Sequence, residues 1–212
     1  FMIQEHFDLL QRMVDKDIAK NVEIHYNTNG SKFPEHAESI WKHFKLIEIA
    51  FSIDDVDERF EYQRANAIWA EVNTNMDRFE AMRDRNTNIQ LQVCSTVNVF
   101  NVMYLEGLAN WIDKRSFDFV YWNMLHEARH HSVSTLPQNA KQIAINKLKS
   151  ANVTEYHKQE FSNIIDFING GDSLDGDQLR KTVADVDWRR QQDLRTHHPE
   201  LAYAIEYNGP KK

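Results

Sequence analysis

The sequence predicts an α/β fold in which a parallel sheet of about four strands is followed by a C-terminal helical extension. Four short apolar runs are separated by segments whose apolar residues recur at helical spacing. Strands that alternate with helices in this way form right-handed crossovers and a parallel sheet. At least three further helical segments follow the last strand and lie outside this alternation. We therefore expect the sheet over residues 1–136 and the helical extension over residues 137–212.

The individual elements follow from apolar spacing and from residues that begin or end helices. Helical spacing predicts a first helix over residues 2–20, and Pro34 opens a second over about 35–44. A long helical stretch over about 57–85 is expected to break near Ala65-Asn66. The expected strands are Val22–Tyr26, Ile47–Phe51, Ile89–Val93 and Phe117–Trp122. Further helices are expected over residues 101–114 and from Pro137 to about 150. Thr154 is expected to cap a helix over about 155–168, and a last helical stretch covers about 173–207 with an interruption near Pro199.

Composition limits the classes of protein to which the chain belongs. At 212 residues with 42% hydrophobic residues, it is long enough to bury a substantial core. A net charge of −7 argues against a nucleic-acid-binding face, and no apolar run reaches the roughly 18 to 20 residues of a membrane helix. The single cysteine, Cys94, excludes an internal disulfide and fits a cytoplasmic protein. Because the chain opens on Phe1 within a helical pattern, we expect it to be a piece of a longer protein.

Polar clusters at the strand ends are the main candidates for function. The carboxyl ends of parallel strands meet at one edge, where ligands bind. Asn27 and Asn29 fit such a role, and a bare Asn-Gly turn is the alternative. Ser52 and Asp54 could hold a ribose through hydrogen bonds between hydroxyl and carboxylate groups, and an Asp54-Asp55 helix cap is the alternative. The other strand-end candidates are Ser95, Thr96, Asn123 and His126.

Two other features have an ordinary structural interpretation. Cys94 ends an apolar strand, where a buried and inert thiol is expected rather than a reactive one. The charged stretch at residues 187–190, together with Arg195, is expected to form a solvated, salt-bridged helix face. The alternative is that this stretch covers the rim formed by the strand ends.

A short motif, His126-Glu127-Ala128-Arg129-His130, matches the zinc-hydrolase pattern H-E-x-x-H. On a helix, this spacing places two imidazoles on one face for zinc, with Glu127 as general base and Glu155 or Glu160 as a third ligand. The aromatic and β-branched residues before it favour a strand instead, and a rim loop with incidental histidines is then expected. His126 and His130 are therefore metal ligands only in this alternative interpretation.

Several stretches of the chain resemble radical S-adenosylmethionine enzymes. Residues 51–64, Phe-Ser-Ile-Asp-Asp-Val-Asp-Glu-Arg-Phe-Glu-Tyr-Gln-Arg, resemble the S-[IV]-D-G-x-x-E-R-x-E-Y-x-R segment of that family. Residues 1–10 and 20–29 are similar to the stretch after its G-G-E-P motif. The family's twitch-domain branch is similar in its later strands and C-terminal helix to residues 96–105, 122–126, 136–137 and 189–201.

The resemblance implies a partial parallel (β/α) barrel, of which this chain carries strands three to six. It implies a parent enzyme that uses a [4Fe–4S] cluster to cleave S-adenosylmethionine into a 5′-deoxyadenosyl radical. The C-x-x-x-C-x-x-C loop and G-G-E-P are both absent, and Asp55 stands where the family has glycine. No cluster is therefore expected in this chain, which we expect to be inactive without the missing part.

Carried over by position, the resemblance implies that the eight strand-end residues surround the cofactor and substrate. Asn27 and Asn29 would face either one, and Ser52 and Asp54 would lie near the ribose and methionine parts. Ser95 and Thr96 would sit at the next strand end, and Asn123 and His126 would flank the adenine or the substrate.

The absent strands would leave an unpaired edge at residues 22–26, so we expect a partner to cover it. That partner is the cluster-binding part or a second copy in a homodimer, and the alternative cover is the C-terminal helices at about 154–207, folding back within the same chain. Neither a nucleic acid nor a membrane is expected as a partner. Besides the zinc hydrolase, a non-catalytic binding or scaffold module is the remaining alternative function.

Overall fold

The computed structural model describes residues 3–210 and contains a four-stranded parallel sheet whose strands follow the order of the chain. The strands are β1 (Glu23–Thr28), β2 (Leu46–Ser52), β3 (Ile89–Val97) and β4 (Phe119–Met124). The helices up to β4 are α1 (Gln4–Asp15), α2 (Ala37–Trp41), α3 (Asp57–Gln63), α4 (Trp69–Arg85) and α5 (Leu105–Ile112). Those after β4 are α6 (Gln138–Ser150), α7 (Glu155–Asn169), α8 (Asp177–Arg190), α9 (Leu194–His197) and α10 (Pro199–Ala204).

The predicted α/β class, the parallel sheet and the C-terminal helical part are confirmed. Ile24 of β1 is in parallel register with Ile47 of β2, and Ile49 is in register with Leu91 of β3. Sequential strand order is the order that a partial (β/α) barrel requires, and closure into a barrel stays a prediction. Among the described helices, none is both long and apolar enough to cross a lipid bilayer.

The chain divides into two compact units that interleave along the sequence. The first unit contains residues up to 53, together with 66–94 and 115–121. The second contains residues 54–65, 95–114 and those from 122 onward. The expected division between residues 136 and 137 separates the part that contains the strands from the helical extension. That division stays a prediction.

The core of the first unit forms between β2 and α4. Ile49 and Phe51 alternate along β2 and are fully buried. On α4, Met76 and Phe79 recur at helical spacing and are also fully buried, and the Phe51 and Phe79 rings lie 5.1 Å apart edge to face. Burying a large apolar side chain contributes roughly 1.5–3 kcal/mol, so this apolar contact anchors the helix to the strand.

The core of the second unit is built mainly from α3, α5 and the helices after β4. Phe60 of α3, Leu108 of α5 and Phe161 of α7 are each buried. Pro137 precedes α6 and Thr154 precedes α7, as their positions in the sequence predicted. The Thr154 side chain makes no capping hydrogen bond, so its location was predicted correctly and its capping bond was not.

Several element boundaries differ from the sequence-based expectation. The first helix ends at Asp15 rather than residue 20, because Asp17 adopts a positive φ of 57°. Residue 2, where that helix was expected to begin, lies outside the described residues. The expected break near Ala65-Asn66 is confirmed by the gap between α3 and α4, where Asn66 has a φ of 64°. β3 continues through its polar end to Val97, four residues beyond the expected end.

Candidate functional site

Three expected site residues, Asn27, Asn29 and Ser52, lie at or just after the carboxyl ends of β1 and β2 in the first unit. The Asn29 side-chain oxygen accepts hydrogen bonds from the Ser31 backbone N–H at 3.1 Å and from the Ser31 hydroxyl at 2.7 Å. Gly30, between them, has a φ of +75°, which favours glycine. Asn29 therefore stabilises a turn. Asn27 is exposed and Ser52 half-buried, and their ligand roles stay predictions.

Asp54 follows β2 and is bonded to the end of β3 within the second unit. One carboxylate oxygen accepts the Thr96 backbone N–H at 2.7 Å, and the other accepts a hydrogen bond from the Arg64 guanidinium. The neighbouring Asp55 accepts the Val56 backbone N–H at 2.8 Å, just before α3. Asp54 thus stabilises the strand ends and does not cap α3, while its ribose role stays a prediction.

Two buried amides that the sequence analysis did not identify organise this edge. The Asn101 side-chain amide donates to the carbonyl oxygens of Asp54 and Thr96 at 2.8 and 2.9 Å, and its oxygen accepts the Asn98 backbone N–H at 2.9 Å. The Asn98 amide donates to the Gln63 side chain at 3.2 Å. The available signal was the occurrence of two asparagines within the otherwise apolar stretch 97–103. Buried polar groups in such stretches need hydrogen-bond partners.

The remaining expected strand-end residues differ in burial and in the contacts they make. Ser95 is fully buried, and its hydroxyl has no hydrogen-bond partner among the described residues. Asn123 is exposed on β4. His126 is exposed, and its ring packs edge to face on Phe167 at 5.0 Å. Of the eight expected residues, Asp54 and Thr96 are joined by a hydrogen bond, and no described hydrogen bond links the other six to this pair.

The zinc interpretation requires a helix across His126–His130, and the structure has the expected strand and loop there instead. β4 ends at Met124, Ala128 adopts a φ of 54°, and Arg129–His131 forms a 3₁₀ turn. The two imidazoles therefore do not lie one α-helical turn apart on one face, as H-E-x-x-H requires. Over residues 3–210, no group of three or more His, Cys, Asp or Glu side chains is arranged to hold a metal ion. The strand-favouring residues before the motif decide its conformation.

A cavity of about 410 Å³ lies beside Asp54 within the second unit. The hydrogen bonds described above form a strand-end network of Asp54, Arg64, Thr96, Asn98 and Asn101. The cavity has polar walls from this network and from α3, and mainly apolar walls from the loop after β3 and from α8. The residues that line it are Asp54, Tyr62, Gln63, Arg64, Asn98, Phe100, Leu125, His131, Thr182, Val183, Val186 and Arg190. A concave site with apolar walls and a few convergent polar groups is typical of a small-molecule site.

The charges around this cavity are unevenly paired. Arg64 is bonded to Asp54, whereas Arg190 makes one described hydrogen bond, from Nη1 to the Tyr62 carbonyl at 3.1 Å. The Tyr62 hydroxyl donates to the buried Asp187 at 2.8 Å. Burial raises the pKa of Tyr62, and the negative charge of Asp187 raises it further. Asp187 was expected on a solvated helix face, and this was wrong because tyrosine hydroxyls and a backbone N–H enclose it. Arg190 instead fits the alternative of a helix that reaches the rim.

Asp55 and Arg59 form an ion pair behind the strand ends. The Arg59 Nε lies 3.0 and 3.2 Å from the two carboxylate oxygens of Asp55, which is 1% exposed. Burial raises the pKa of Asp55 to about 7, although the Arg59 charge opposes this shift. The position that is glycine in the family resembled does not adopt a positive φ here, so a buried carboxylate is accommodated without backbone strain.

The residues present do not fit a [4Fe–4S] cluster. Such clusters need several cysteine thiolates, and the chain contains Cys94 alone. Cys94 lies within β3, half-buried, and burial raises the pKa of its thiol above the ordinary value. No reaction step through a cluster is therefore assigned to this chain. The carboxylate, amides and aromatic rings that line the cavity are groups that small polar ligands contact.

Comparisons of the chain with protein-family models, with curated proteins and with solved structures gave no match. The assignment of function therefore rests on the residues and on the geometry of the strand ends. Asp54, Arg64 and Asn98 belong both to the cavity wall and to the strand-end network, which makes this cavity the candidate functional site.

Proposed function

We propose that this chain is the C-terminal part of a radical S-adenosylmethionine enzyme and contributes the strand ends that face cofactor and substrate. One observation supports this most directly. Asp54 and Arg64, the aspartate and final arginine of the block that resembles the family, form an ion pair in the cavity wall. That wall follows the carboxyl ends of parallel strands, where ligands bind in such folds.

In this proposal the chain's own residues bind and orient, and the cluster-binding part carries the redox chemistry. Asp54 and Asn98 present a carboxylate and an amide to the cavity, and the Asn101 amide fixes the backbone beneath them. The buried network keeps these donors and acceptors in place before a ligand arrives, which lowers the entropic cost of binding. The other proposed cofactor contacts are those that the resemblance implies: Asn27, Asn29, Ser52, Ser95, Thr96, Asn123 and His126.

The proposal includes partners and a location. The cluster-binding part, fused upstream or present as a separate chain, is the first partner, and a second copy of the chain is the other. The proposal places the protein in the cytoplasm. A chain with one cysteine needs no disulfide and is compatible with a reducing compartment. These assignments share one requirement, which is that a G-G-E-P motif and a C-x-x-x-C-x-x-C loop exist elsewhere in the protein or its partner.

The first test is the sequence upstream of Phe1 in the natural gene. We expect a G-G-E-P motif directly before Phe1 and a C-x-x-x-C-x-x-C loop farther upstream. The longer protein, purified without oxygen and with its cluster reconstituted, should release 5′-deoxyadenosine from S-adenosylmethionine under a reductant. An upstream sequence without either motif, and no partner chain that carries them, would exclude the proposal.

The role of Asp54 is tested in that longer protein with Asp54→Asn. This change retains an oxygen acceptor for the Thr96 N–H but removes the charge, so we expect about a tenfold or greater loss of 5′-deoxyadenosine formation. Asp166→Asn is the matched control, because Asp166 is exposed on α7. Full activity of Asp54→Asn, with circular dichroism equal to that of the unmodified protein, would contradict the assigned role.

A non-catalytic binding module is the second candidate, because the cavity is complete within one unit of this chain. Calorimetry of the 212-residue chain with S-adenosylhomocysteine separates the two. The enzyme-part proposal expects weak binding, because the missing part supplies most contacts to the methionine moiety. Micromolar binding by the chain alone would favour the binding module.

A further inference from the structure

The end of the cavity formed by α8 and the 3₁₀ turn Arg129–His131 carries unused hydrogen-bonding groups. Asp54 and Arg64 neutralise each other at one side of the cavity. Arg190 and His131 also line it, and neither is paired with a carboxylate in the described structure. The Arg190 guanidinium is therefore a cation to which no described carboxylate is bonded, while the Asp187 carboxylate on the same helix is bonded to the Tyr62 and Tyr207 hydroxyls.

Arg190 presents one edge of its guanidinium to a ligand. Its Nη1 donates to the Tyr62 carbonyl at 3.1 Å, which fixes the group on α3. The Nε and Nη2 donors form the other edge and have no acceptor among the described residues. Two parallel N–H groups on one guanidinium edge match the two oxygens of a carboxylate.

His131 adds a neutral polar group beside this charge. Burial and the neighbouring His130 lower the pKa of His131, so its imidazole is neutral near pH 7. Its Nε2 is buried and has no hydrogen-bond partner among the residues described. An unsatisfied buried polar atom destabilises the folded protein, and a ligand atom that bonds to Nε2 would remove this penalty.

Apolar and aromatic side chains line the rest of this end. The Phe100 and His131 rings lie 5.4 Å apart, and Val183 and Val186 of α8 complete the wall. The Tyr62 hydroxyl is already bonded to Asp187, so its ring is what Tyr62 offers to the cavity. Such a surface accommodates an aromatic or branched apolar group.

We propose that this end of the cavity is a subsite for a small carboxylate with an aromatic or branched apolar body. The Nε–Nη2 edge of Arg190 binds the carboxylate, His131 hydrogen-bonds to it or to a neighbouring polar atom, and the Phe100 ring packs on the apolar body. A monoanion fits better than a phosphate dianion, because one guanidinium edge is free, His131 is neutral and the Asp187 carboxylate lies on the same helix. The role of this subsite in binding a substrate rests on the proposed function. Its ability to bind a small carboxylate does not depend on that function.

The test compares 3-phenylpropionate with 3-phenylpropionamide as probes of the 212-residue chain, using calorimetry and ligand-observed NMR at pH 7.5. We expect saturable binding of the carboxylate and about tenfold weaker binding of the amide, since the pair differs only in charge and one oxygen. Arg190→Gln should remove this preference. Arg189→Gln should keep it, because Arg189 is paired with Asp185 on the same helix and does not line the cavity.

Three outcomes would overturn the subsite. They are equal binding of the two probes, unchanged carboxylate binding by Arg190→Gln, and displacement of the carboxylate by S-adenosylmethionine, which would place the probe in the cofactor positions. Should Arg190→Gln lose its native circular dichroism, Arg190→Lys replaces it, since lysine keeps the charge but lacks the paired donors. Arg190→Lys must then bind the carboxylate several times more weakly. A lack of 5′-deoxyadenosine formation would reject the proposed function and leave these binding results intact.

Discussion

Asp55 is an acidic side chain buried beside a single guanidinium, and its protonation is coupled to folding. Burial raises its pKa to about 7, whereas an unfolded aspartate titrates near about 3.9. Between these values the folded state holds a proton that the unfolded state has released. The contribution of Asp55 to stability therefore falls as pH rises through this window, by at most about 1.4 kcal/mol per pH unit.

Asp55→Asn should remove this pH dependence. The free energy of unfolding, measured in urea at pH 5, 6 and 7, should fall with pH more steeply in the unmodified chain than in the variant. Asp185→Asn, at an exposed position of α8, serves as control and should keep the slope of the unmodified chain. Parallel pH profiles for the unmodified chain and Asp55→Asn would contradict the raised pKa.

Asn101 supports the strand-end network with all of its hydrogen-bonding capacity. Asn101→Ala leaves the Asp54 carbonyl and the Asn98 N–H without a described partner, while the Thr96 carbonyl keeps the Asn98 amide as a donor at 3.0 Å. We expect a loss of about 2–6 kcal/mol in the free energy of unfolding, since each of these two buried groups left unsatisfied costs roughly 1–3 kcal/mol. Urea unfolding at pH 7 measures the loss, with Asn163→Ala on the exposed face of α7 as control. A loss below that of the control would show that the network is not structural.

At the scale of elements, Gly171 is the closest approach between the end of α7 and the 3₁₀ turn Val133–Thr135. A Cβ atom at this position would lie 2.4 Å from the Ser134 carbonyl oxygen, a backbone atom that cannot rotate away. The buried Lys141 amine also donates to the Gly171 carbonyl at 2.6 Å, which holds this segment in place.

Gly171→Ala should therefore destabilise the protein by about 1–3 kcal/mol through steric overlap, and lower Tm by several degrees. Gly170→Ala is the matched control, because the nearest atom to its added Cβ is 3.4 Å away and its backbone is already helical. Thermal unfolding followed by circular dichroism compares the two. Equal Tm values would mean that the turn moves to accept the methyl group.

The order and type of the main elements could be predicted because they depend on local patterns. Apolar spacing located α4 and Pro137 located the start of α6, and the break after α3 falls near Ala65-Asn66 as expected. The His126–His130 motif was ambiguous for the same reason, since its pattern describes spacing and its conformation depends on the strand before it.

The candidate site could be predicted only in part, because its contacts join distant residues. Asp54 was identified from its position after β2. Its bond to Thr96 spans 42 residues, and the bond between Tyr62 and Asp187 spans 125. The spacing of apolar residues along the sequence carries no information about contacts between residues so far apart. Asp187 and Arg190 share a charged helix, and only the packing of α8 shows that one is buried and the other lines the cavity.

At the scale of the whole molecule, β1 and β4 are the edge strands of the sheet. Edge strands present unpaired backbone groups to other chains, and β4 also exposes Phe119 and Tyr121. We expect a homodimer through the β1 edge. In an isologous contact the same edge of both copies meets, so each copy covers the unpaired backbone groups of the other.

Light scattering coupled to size exclusion should give about twice 25.1 kDa for the 212-residue chain. Asn27→Lys, at an exposed position of β1, should weaken the dimer by bringing like charges together, and Asn163→Lys should not. A species near 25.1 kDa at every concentration would contradict the dimer.

Cys94 gives this molecule a single native reporter for opening of its sheet. It lies in β3, in register with Ser52 of β2, and its thiol is half-buried with a raised pKa. A disulfide reagent reacts with the thiolate, so its rate depends on the raised pKa and on the access that the surrounding side chains leave to the half-buried sulfur. Opening of β3 increases that access, so a change in the labelling rate reports a change in opening at one atom, without a mutation or an attached dye. Ligands that close the strand ends should slow this reaction in proportion to their binding.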